Sequence, residues 1–344
     1  MEQPGPPLSV VIVTFRSGAT LRGALDALIR SAPLGTELVV VENGGDDGVE
    51  DMVHEVWPTA TVIQSQTNVG FAVGVNAGIG LSSGEAVLLL NPDAEVERGT
   101  IKALLKALKE LPDAGIVAPR IVDAHGQPVL SCYPFLSPLA VAWRHLQLIR
   151  LFPNMVLGRY RRTTLDPAQT APVPVDWAQG ACLLIRREVL DEVGRLDPEF
   201  FLYAEEVDLA RRAARAGWKT YLIPTAQVRH AEGTSSGQVV PLKLASHYLS
   251  KAVYFQKHHS VAVQDAVRAI LLLDLGLRMV YRAIGVVRGQ PSDARQRLAA
   301  YAQTARLLLK TPPAQLPMAW RALAPPLVDD SVHEQFPHPP RDHQ

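Results

Sequence analysis

The sequence predicts an α/β fold: a mostly parallel sheet flanked by helices, followed by a C-terminal helical extension. Three observations carry this. Short β-branched runs alternate with stretches of helical period through the first part of the chain. The runs are continuous rather than alternating, as strands covered on both faces require. From about residue 245 onward the pattern is helical. A chain of 344 residues can bury a large core, in one big domain or two small ones.

"LSVVIVTF" (8–15) is the first strand. The helix after it sets Leu21, Leu25, Leu28 and Ile29 on one face and ends at a proline. "TELVVVEN" (36–43) is the second strand. Asp46 or Asp47 can cap the next helix, whose apolar positions are Val49, Val53 and Val56. "TVIQ" (61–64) and "AVLLLN" (86–91) are further strands, and 100–113 is an amphipathic helix. Residues 131–176, rich in Pro and Arg, read as an irregular insertion or lid with at most short helices. Pattern returns with a strand at 181–185 and a helix that Gly194 closes. Residues 205–224 repeat the scheme: helix, Gly217 cap, strand, Pro224. In 261–288 an apolar stripe runs Ile270, Leu273, Leu277, Val280, Ile284, Val287, with Arg268, Asp274, Arg278 and Arg282 on the remaining face. Such a helix either packs on the domain, the commoner case, or lies in a membrane interface with its arginines toward headgroups. The expected division is 1–255 as the main domain, 256–315 as the helical extension and 316–344 as a Pro-rich, disordered tail.

Thirty-four basic residues balance thirty-four acidic ones, which argues against a general nucleic-acid binder. Cys132 and Cys182 have no zinc-site spacing. With no basic-then-apolar leader and no uncharged apolar run of spanning length, a cytoplasmic location is expected.

In open α/β sheets ligands bind beyond the carboxyl ends of the strands. The turns there read Thr14-Phe15-Arg16-Ser17, Glu42-Asn43-Gly44-Gly45, Gln66-Thr67-Asn68-Val69-Gly70 and Asn91-Pro92-Asp93. None matches the dinucleotide or P-loop glycine patterns. Gly70 can let the backbone approach a ligand while the following helix N-terminus favours anionic groups. Gly74 and Gly78 fit close helix packing equally well. Asp93 alone reads as good turn chemistry, although one strand-end Asp facing a diphosphate can hold Mg2+. Glu205, Glu206 and Asp208 complement a helix N-terminus, with Asp208 able to pair with Arg211 or Arg212, or else supply a general base. His230, just past a strand, is by itself more in keeping with a structural histidine.

Taken in order, "VVIVTF", "VVVENGGDD", "NVGFAVGVNAGI", "LLLNPDAEV", the long block from Val175 to Trp218 and "VRHAEGTSS" resemble family-2 glycosyltransferases of GT-A fold, particularly rhamnosyltransferase-type members, over roughly residues 8–260. The resemblance implies transfer of a sugar from a nucleoside diphosphate donor, dTDP-rhamnose being favoured, to a saccharide or lipid-linked glycan, with inversion at the anomeric carbon. It assigns Thr14 and Phe15 to the nucleoside pocket and Glu42 to the place of a base-contacting Asp. Asn68 and Gly70 fall near the ribose and diphosphate. Asn91-Pro92-Asp93 stands for the family's Asp-x-Asp, so that Asp93, with His230, would hold Mg2+ or Mn2+. Trp177 and Gly180 match a W-x-x-G stretch beside the donor sugar and acceptor. Glu206 stands where the family has its Asp base, with Glu205 as the runner-up. Tyr254, Lys257 and His258 resemble the family's closing segment, facing donor phosphates or membrane, a solvated surface role being as common. A sugar-phosphate nucleotidyltransferase would want a Gly-rich basic loop after the first strand, which "TFRSGATL" matches poorly. The remaining alternative is a catalytically silent nucleotide-sugar or glycan-binding scaffold.

Overall fold

The computed structural model describes residues 7–45, 48–152, 154–230, 240–287, 293–312, 315, 316, 318 and 319. Asp46, Asp47, residues 231–236, the side chain of Val287 and most of the tail lie outside the described residues. The chain runs β1 (Ser9–Thr14), α1 (Gly18–Ile29), β2 (Glu37–Asn43), α2 (Val49–Val56), β3 (Thr61–Ser65), α3 (Phe71–Gly80), β4 (Ala86–Leu90), β5 (Ala94–Val96), α4 (Thr100–Glu110) and β6 (Ala114–Val122). After these come β7 (Cys132–Tyr133), α5 (Pro138–His145), a 3-10 turn, α6 (Gly158–Leu165), β8 (Val173–Val175), β9 (Trp177–Ala178), β10 (Cys182–Arg186) and α7 (Arg187–Val193). The chain ends with α8 (Glu205–Arg215), β11 (Lys219–His230), α9 (Val240–His258), α10 (Val261–Val287) and α11 (Asp293–Lys310).

The main sheet has the order β3-β2-β1-β4-β10-β6-β11-β5, with β8 also on β11. Strands β3, β2, β1 and β4 are mutually parallel. Their continuous apolar runs follow from burial on both faces. Leu8, Val10 and Ile12 pack with α1 and α4 side chains, whereas Val11 and Val13 pack toward α3. Strand β10 then runs antiparallel between β4 and β6. It turns the sheet into a mixed one, and β6 was not anticipated. The 131–176 segment contains short helices, as expected, but it is tied down: β8 joins β11 and β7 pairs with β9. Strand β11 does not stop at Pro224. It runs on to His230, with its register on β6 shifting between Ile223 and Gln227, a break suited to a residue without an amide hydrogen.

A third core forms where α9, α10 and α11 pack on Phe200, Phe201 and Val207. Residue 255 lies inside α9, so one helix serves both the sheet domain and the extension. Two faces differ from expectation. In α1, Leu21, Leu25 and Leu28 are buried but Ile29 is exposed. In α10 the buried positions are Val267, Leu271 and Leu275, while Leu273, Leu277, Val280 and Ile284 are between 47% and 61% exposed. Apolar residues nearly encircle α10, so periodicity could not show which stripe faces the protein. Asp274, expected on the polar face, is buried: it accepts from Tyr248 Oη at 2.5 Å and Arg278 Nε at 2.8 Å and lies 2.7 Å from His145 Nδ1.

Candidate active site

The carboxyl ends of the parallel strands open into a cleft of about 600 Å³. Phe15, Asn68, Asn91 and Asp93 line it from the sheet side, and Trp177, Glu206 and His230 from later elements. Five expected site residues do not line it: Thr14, Glu42, Gly70, Gly180 and Glu205. Thr14 and Glu42 face each other in the register between β1 and β2, and both are fully buried. The Glu42 carboxylate accepts from Gln64 Nε2 at 2.9 Å, so it braces β2 against β3.

The neighbouring residue, Asn43, reaches the cleft instead. Successive strand residues face opposite sides, which separates it from Glu42. Its Nδ2 donates to Asn68 Oδ1 and to Gly70 O, each at 3.1 Å, and its Oδ1 accepts from Val69 N at 2.8 Å. Asn43 thus shapes the turn that opens α3. Gly70 supplies that turn with a φ of 91°, and a Cβ there would lie 2.7 Å from the Phe201 ring and 2.8 Å from its carbonyl oxygen. The Phe71 amide donates to that same carbonyl at 2.7 Å. Gly70→Ala is therefore expected to separate the turn that opens α3 from the 200–204 loop and lower stability by about 1–3 kcal/mol. Urea unfolding of the variant checks this.

Asp93 and His230 are 137 residues apart, yet His230 Nε2 lies 3.1 Å from Asp93 Oδ1. Antiparallel pairing of β5 with β11 sets His230 opposite Ala94, and so beside Asp93. His230 Nδ1 is buried with no hydrogen-bond partner among the described residues. Among the described residues no three His, Cys, Asp or Glu converge as a metal cluster. One carboxylate is enough for Mg2+ or Mn2+ when phosphates and water complete the shell.

Helix α8 begins after Tyr203 and Ala204, both in the left-handed region at φ 71° and 69°. Two such residues in a row cost roughly 1–2 kcal/mol each, and here they deliver α8 to the cleft wall. Glu206 lines the cleft; Glu205, 5% exposed, turns into the protein. Gly180 lies against the Glu206 side chain. Burial pushes the Glu206 carboxyl up to about 7. Burial, then repulsion from Glu206, raises Glu205 well above the usual carboxylate range. Each has an Oε2 buried without a hydrogen-bond partner among the described residues. Asp208 faces away, accepting from Arg212 Nε at 2.8 Å and lying 2.7 Å from His258 Nε2.

Tyr254, Lys257 and His258 do not reach the cleft: Tyr254 is fully buried, Lys257 pairs with Asp197, and His258 meets Asp208. Instead, Lys243, His247 and Lys251, earlier on α9, line it together with Arg144 of α5. Trp177 stacks on Tyr133 with ring centroids 4.8 Å apart and donates Nε1–H to Pro134 O at 2.8 Å. Gln179, between Trp177 and Gly180, lines the cleft with its Oε1 buried and unpartnered. The W-x-x-G spacing held the only signal for it.

A sheet-end cleft with an acid–histidine pair and a separate carboxylate of raised pKa is the layout of an α/β group-transfer enzyme. The chain belongs to the glycosyltransferases of family 2: the family described as "Glycosyltransferase like family 2" matches residues 6–248. It is similar to an N-acetylglucosaminyl-diphospho-decaprenol L-rhamnosyltransferase of Mycobacterium tuberculosis, 32% identical over 286 residues, which cover 79% of this chain and 91% of that protein. A low-salt glycan biosynthesis hexosyltransferase of Haloferax volcanii is 29% identical over 217 residues, 60% of this chain and 62% of the relative. The fold is GT-A. A mannosyltransferase of Pyrobaculum calidifontis, solved with GDP-Man and Mn2+, superposes with a TM-score of 0.53 at 18% identity, covering 93% of this chain and 87% of that one.

Proposed function

We propose that this glycosyltransferase moves rhamnose, with inversion, from a nucleoside diphosphate donor, dTDP-rhamnose, to a sugar on a lipid carrier. The observation that carries this is Glu206, a half-buried carboxylate raised to about 7 in the same cleft as Asp93 and His230. An acceptor hydroxyl is a poor nucleophile, so a base must take its proton as the new C–O bond forms. Glu206 is that base; Glu205 is turned from the cleft, and the Glu206 charge helps to hold its carboxyl protonated. The bond from the anomeric carbon to the diphosphate breaks on the opposite side, and the diphosphate leaves with the electron pair. Asp93 and His230 would hold Mg2+ or Mn2+, which when bound would offset charge on the leaving diphosphate. Phe15, Asn68 and Asn91 contact the nucleotide, with Thr14, Glu42 and Gly70 holding the strand ends and turn behind them. Trp177, beside Gly180, forms the wall for the sugar. The rhamnosyl group and the lipid-linked acceptor follow the name of the mycobacterial relative, and the dTDP carrier follows the family resemblance of the sequence.

Incubation with a panel of nucleotide sugars, Mn2+ and a lipid-linked acceptor tests this by mass-detected product. Transfer from dTDP-rhamnose that stops on chelation is expected. No metal-dependent transfer or hydrolysis with any donor would leave only a silent glycan-binding scaffold.

A lipid-linked acceptor also gives the exposed α10 stripe an occupant. No helix among the described residues is long and apolar enough to cross a membrane. Leu273, Leu277, Val280 and Ile284 instead suit shallow insertion at the cytoplasmic face, beside Arg282. Leu277→Glu with Val280→Glu should weaken co-sedimentation with anionic vesicles roughly tenfold or more, since each loses an apolar contact worth about 1.5–3 kcal/mol. Unchanged co-sedimentation would remove the membrane role.

A further inference from the structure

One end of the cleft is cationic, and neither the base nor the metal pair uses it. Arg144 on α5 and His247 and Lys251 on α9 line it. Residues 247 and 251 are one helical turn apart and share a face. Lys251 is 8% exposed, and among the described residues its Nζ donates only to a backbone carbonyl of its own helix, His247 O, at 2.8 Å. Among the described residues neither Lys251 nor Arg144 forms an ion pair. The acid that acts on Lys251, Asp274, is already engaged by His145, Tyr248 and Arg278. Burial and then Arg144 push the Lys251 ammonium well below the usual lysine range. Lys251 in turn holds the His247 imidazole well below its ordinary value. Charging the buried Lys251 beside the exposed Arg144 guanidinium is costly, and a bound anion would offset that cost while accepting from Arg144 and His247.

The position of the cluster tells which anion. The His247 ring meets Tyr203 edge-on at 5.8 Å, and Tyr203 leads through Ala204 into Glu205 and Glu206. The cationic end therefore adjoins the turn that presents the base. Asp93 and His230 come from the strand ends of β4 and β11. An inverting displacement keeps base and leaving group on opposite sides of the reacting carbon, so a cation cluster beside the base turn is on the acceptor side. In the mycobacterial relative the named acceptor carries its diphosphate directly on the sugar. Helix α10, with its exposed apolar stripe, packs on α5 and α9, the two helices that carry the cluster.

We propose that Arg144, His247 and Lys251 form a second diphosphate subsite in the cleft, which receives the diphosphate of the lipid-linked acceptor. This rests on the glycosyl-transfer function proposed above. The guanidinium, ammonium and imidazole N–H donate to the diphosphate oxygens, while the apolar chain leaves toward α10.

Two measurements test it on the full chain. The first compares farnesyl-diphospho-N-acetylglucosamine with a diphosphate-free octyl N-acetylglucosaminide as acceptors, in wild type, Arg144→Gln and Lys251→Met. Arg144 is exposed, so its variant keeps the test sound if the buried Lys251 variant folds poorly. The kcat/KM ratio of the first acceptor to the second should fall at least tenfold in each variant, with the donor KM moving less than twofold. A raised donor KM in its place would overturn the acceptor assignment and give the cluster to the donor's diphosphate. Equal losses on both acceptors would mean a structural role only and also overturn it. The second measurement titrates geranyl diphosphate by calorimetry into protein saturated with dTDP and excess Mg2+. Wild type should bind and each variant at least tenfold more weakly; no binding to wild type overturns the subsite. Calorimetry needs no turnover, so absence of sugar transfer would sink the catalytic function separately.

Discussion

Glu206→Gln is expected to cut sugar transfer by roughly a hundredfold to ten-thousandfold while donor binding persists. The amide keeps the shape of the side chain against Gly180 but cannot accept the acceptor's proton. Glu205→Gln should be milder, because that residue is turned from the cleft. The reverse order would move the base to Glu205. The same substitution carries a stability signature. In the folded chain the Glu206 carboxyl is raised to about 7, so the folded state holds its proton more tightly than the unfolded one. The stabilisation is complete below about pH 4.5, the ordinary value, and is lost as pH rises through about 7. Wild type at pH 8 therefore holds a buried charge that glutamine lacks. The variant should be more stable there, by about 3 kcal/mol, and the gap should close below about pH 4.5. Urea unfolding at pH 4.5 and pH 8 checks both ends. A variant both inactive and more stable is what a functional carboxylate gives; a less stable one would indicate a structural carboxylate.

Asp93→Asn is expected to lower metal-dependent transfer at least about a hundredfold. Asparagine can still accept from His230, so the β5–β11 edge should persist and the urea midpoint should hold. An amide oxygen is a far weaker ligand for a divalent cation than a carboxylate. Chelation should bring wild type down to the level of the variant and leave the variant unchanged. Equal activity of the two across a Mn2+ titration would refute the metal role.

How far the sequence spoke varied with how local each feature is. Strands β1, β2 and β4 were plain because their apolar runs are unbroken. Strand β6, at the centre of the sheet, was hidden by Gly115, Pro119 and Arg120 in "AGIVAPRIV". Its Arg120 is tolerable only because Asp166 O and Gln169 O, in the 131–176 segment, accept from the guanidinium at 2.7 and 3.0 Å. The acidic strand-end turn was legible from the order of motifs, but its partnership with His230 depends on a β5–β11 register that no local pattern reveals. Asn43 was overlooked in favour of its neighbour Glu42, a choice that turns on which side of β2 faces the cleft. The cationic end was invisible for a similar reason: it exists only once α5 and α9 are packed, and neither helix carries a run of basic residues.

Helix α10 is the opposite case. Its apolar residues were seen, yet the stripe chosen from periodicity is mostly the one facing outward. Packing with α5, α9 and α11 takes the offset stripe of Val267, Leu271 and Leu275. The exposed stripe is what brings a lipid surface into the account.

In the proposed mechanism Glu206 deprotonates the acceptor in the cleft it shares with the Asp93–His230 pair. The pH dependence of single-turnover rhamnosyl transfer, at saturating donor and Mn2+, tests it most directly. The rate should climb tenfold per pH unit below about pH 7 and level off above it, following the Glu206 carboxyl, with that limb absent from the residual rate of Glu206→Gln. A rate flat from pH 5.5 to 8.5, or a rising limb that survives in Glu206→Gln, would contradict it.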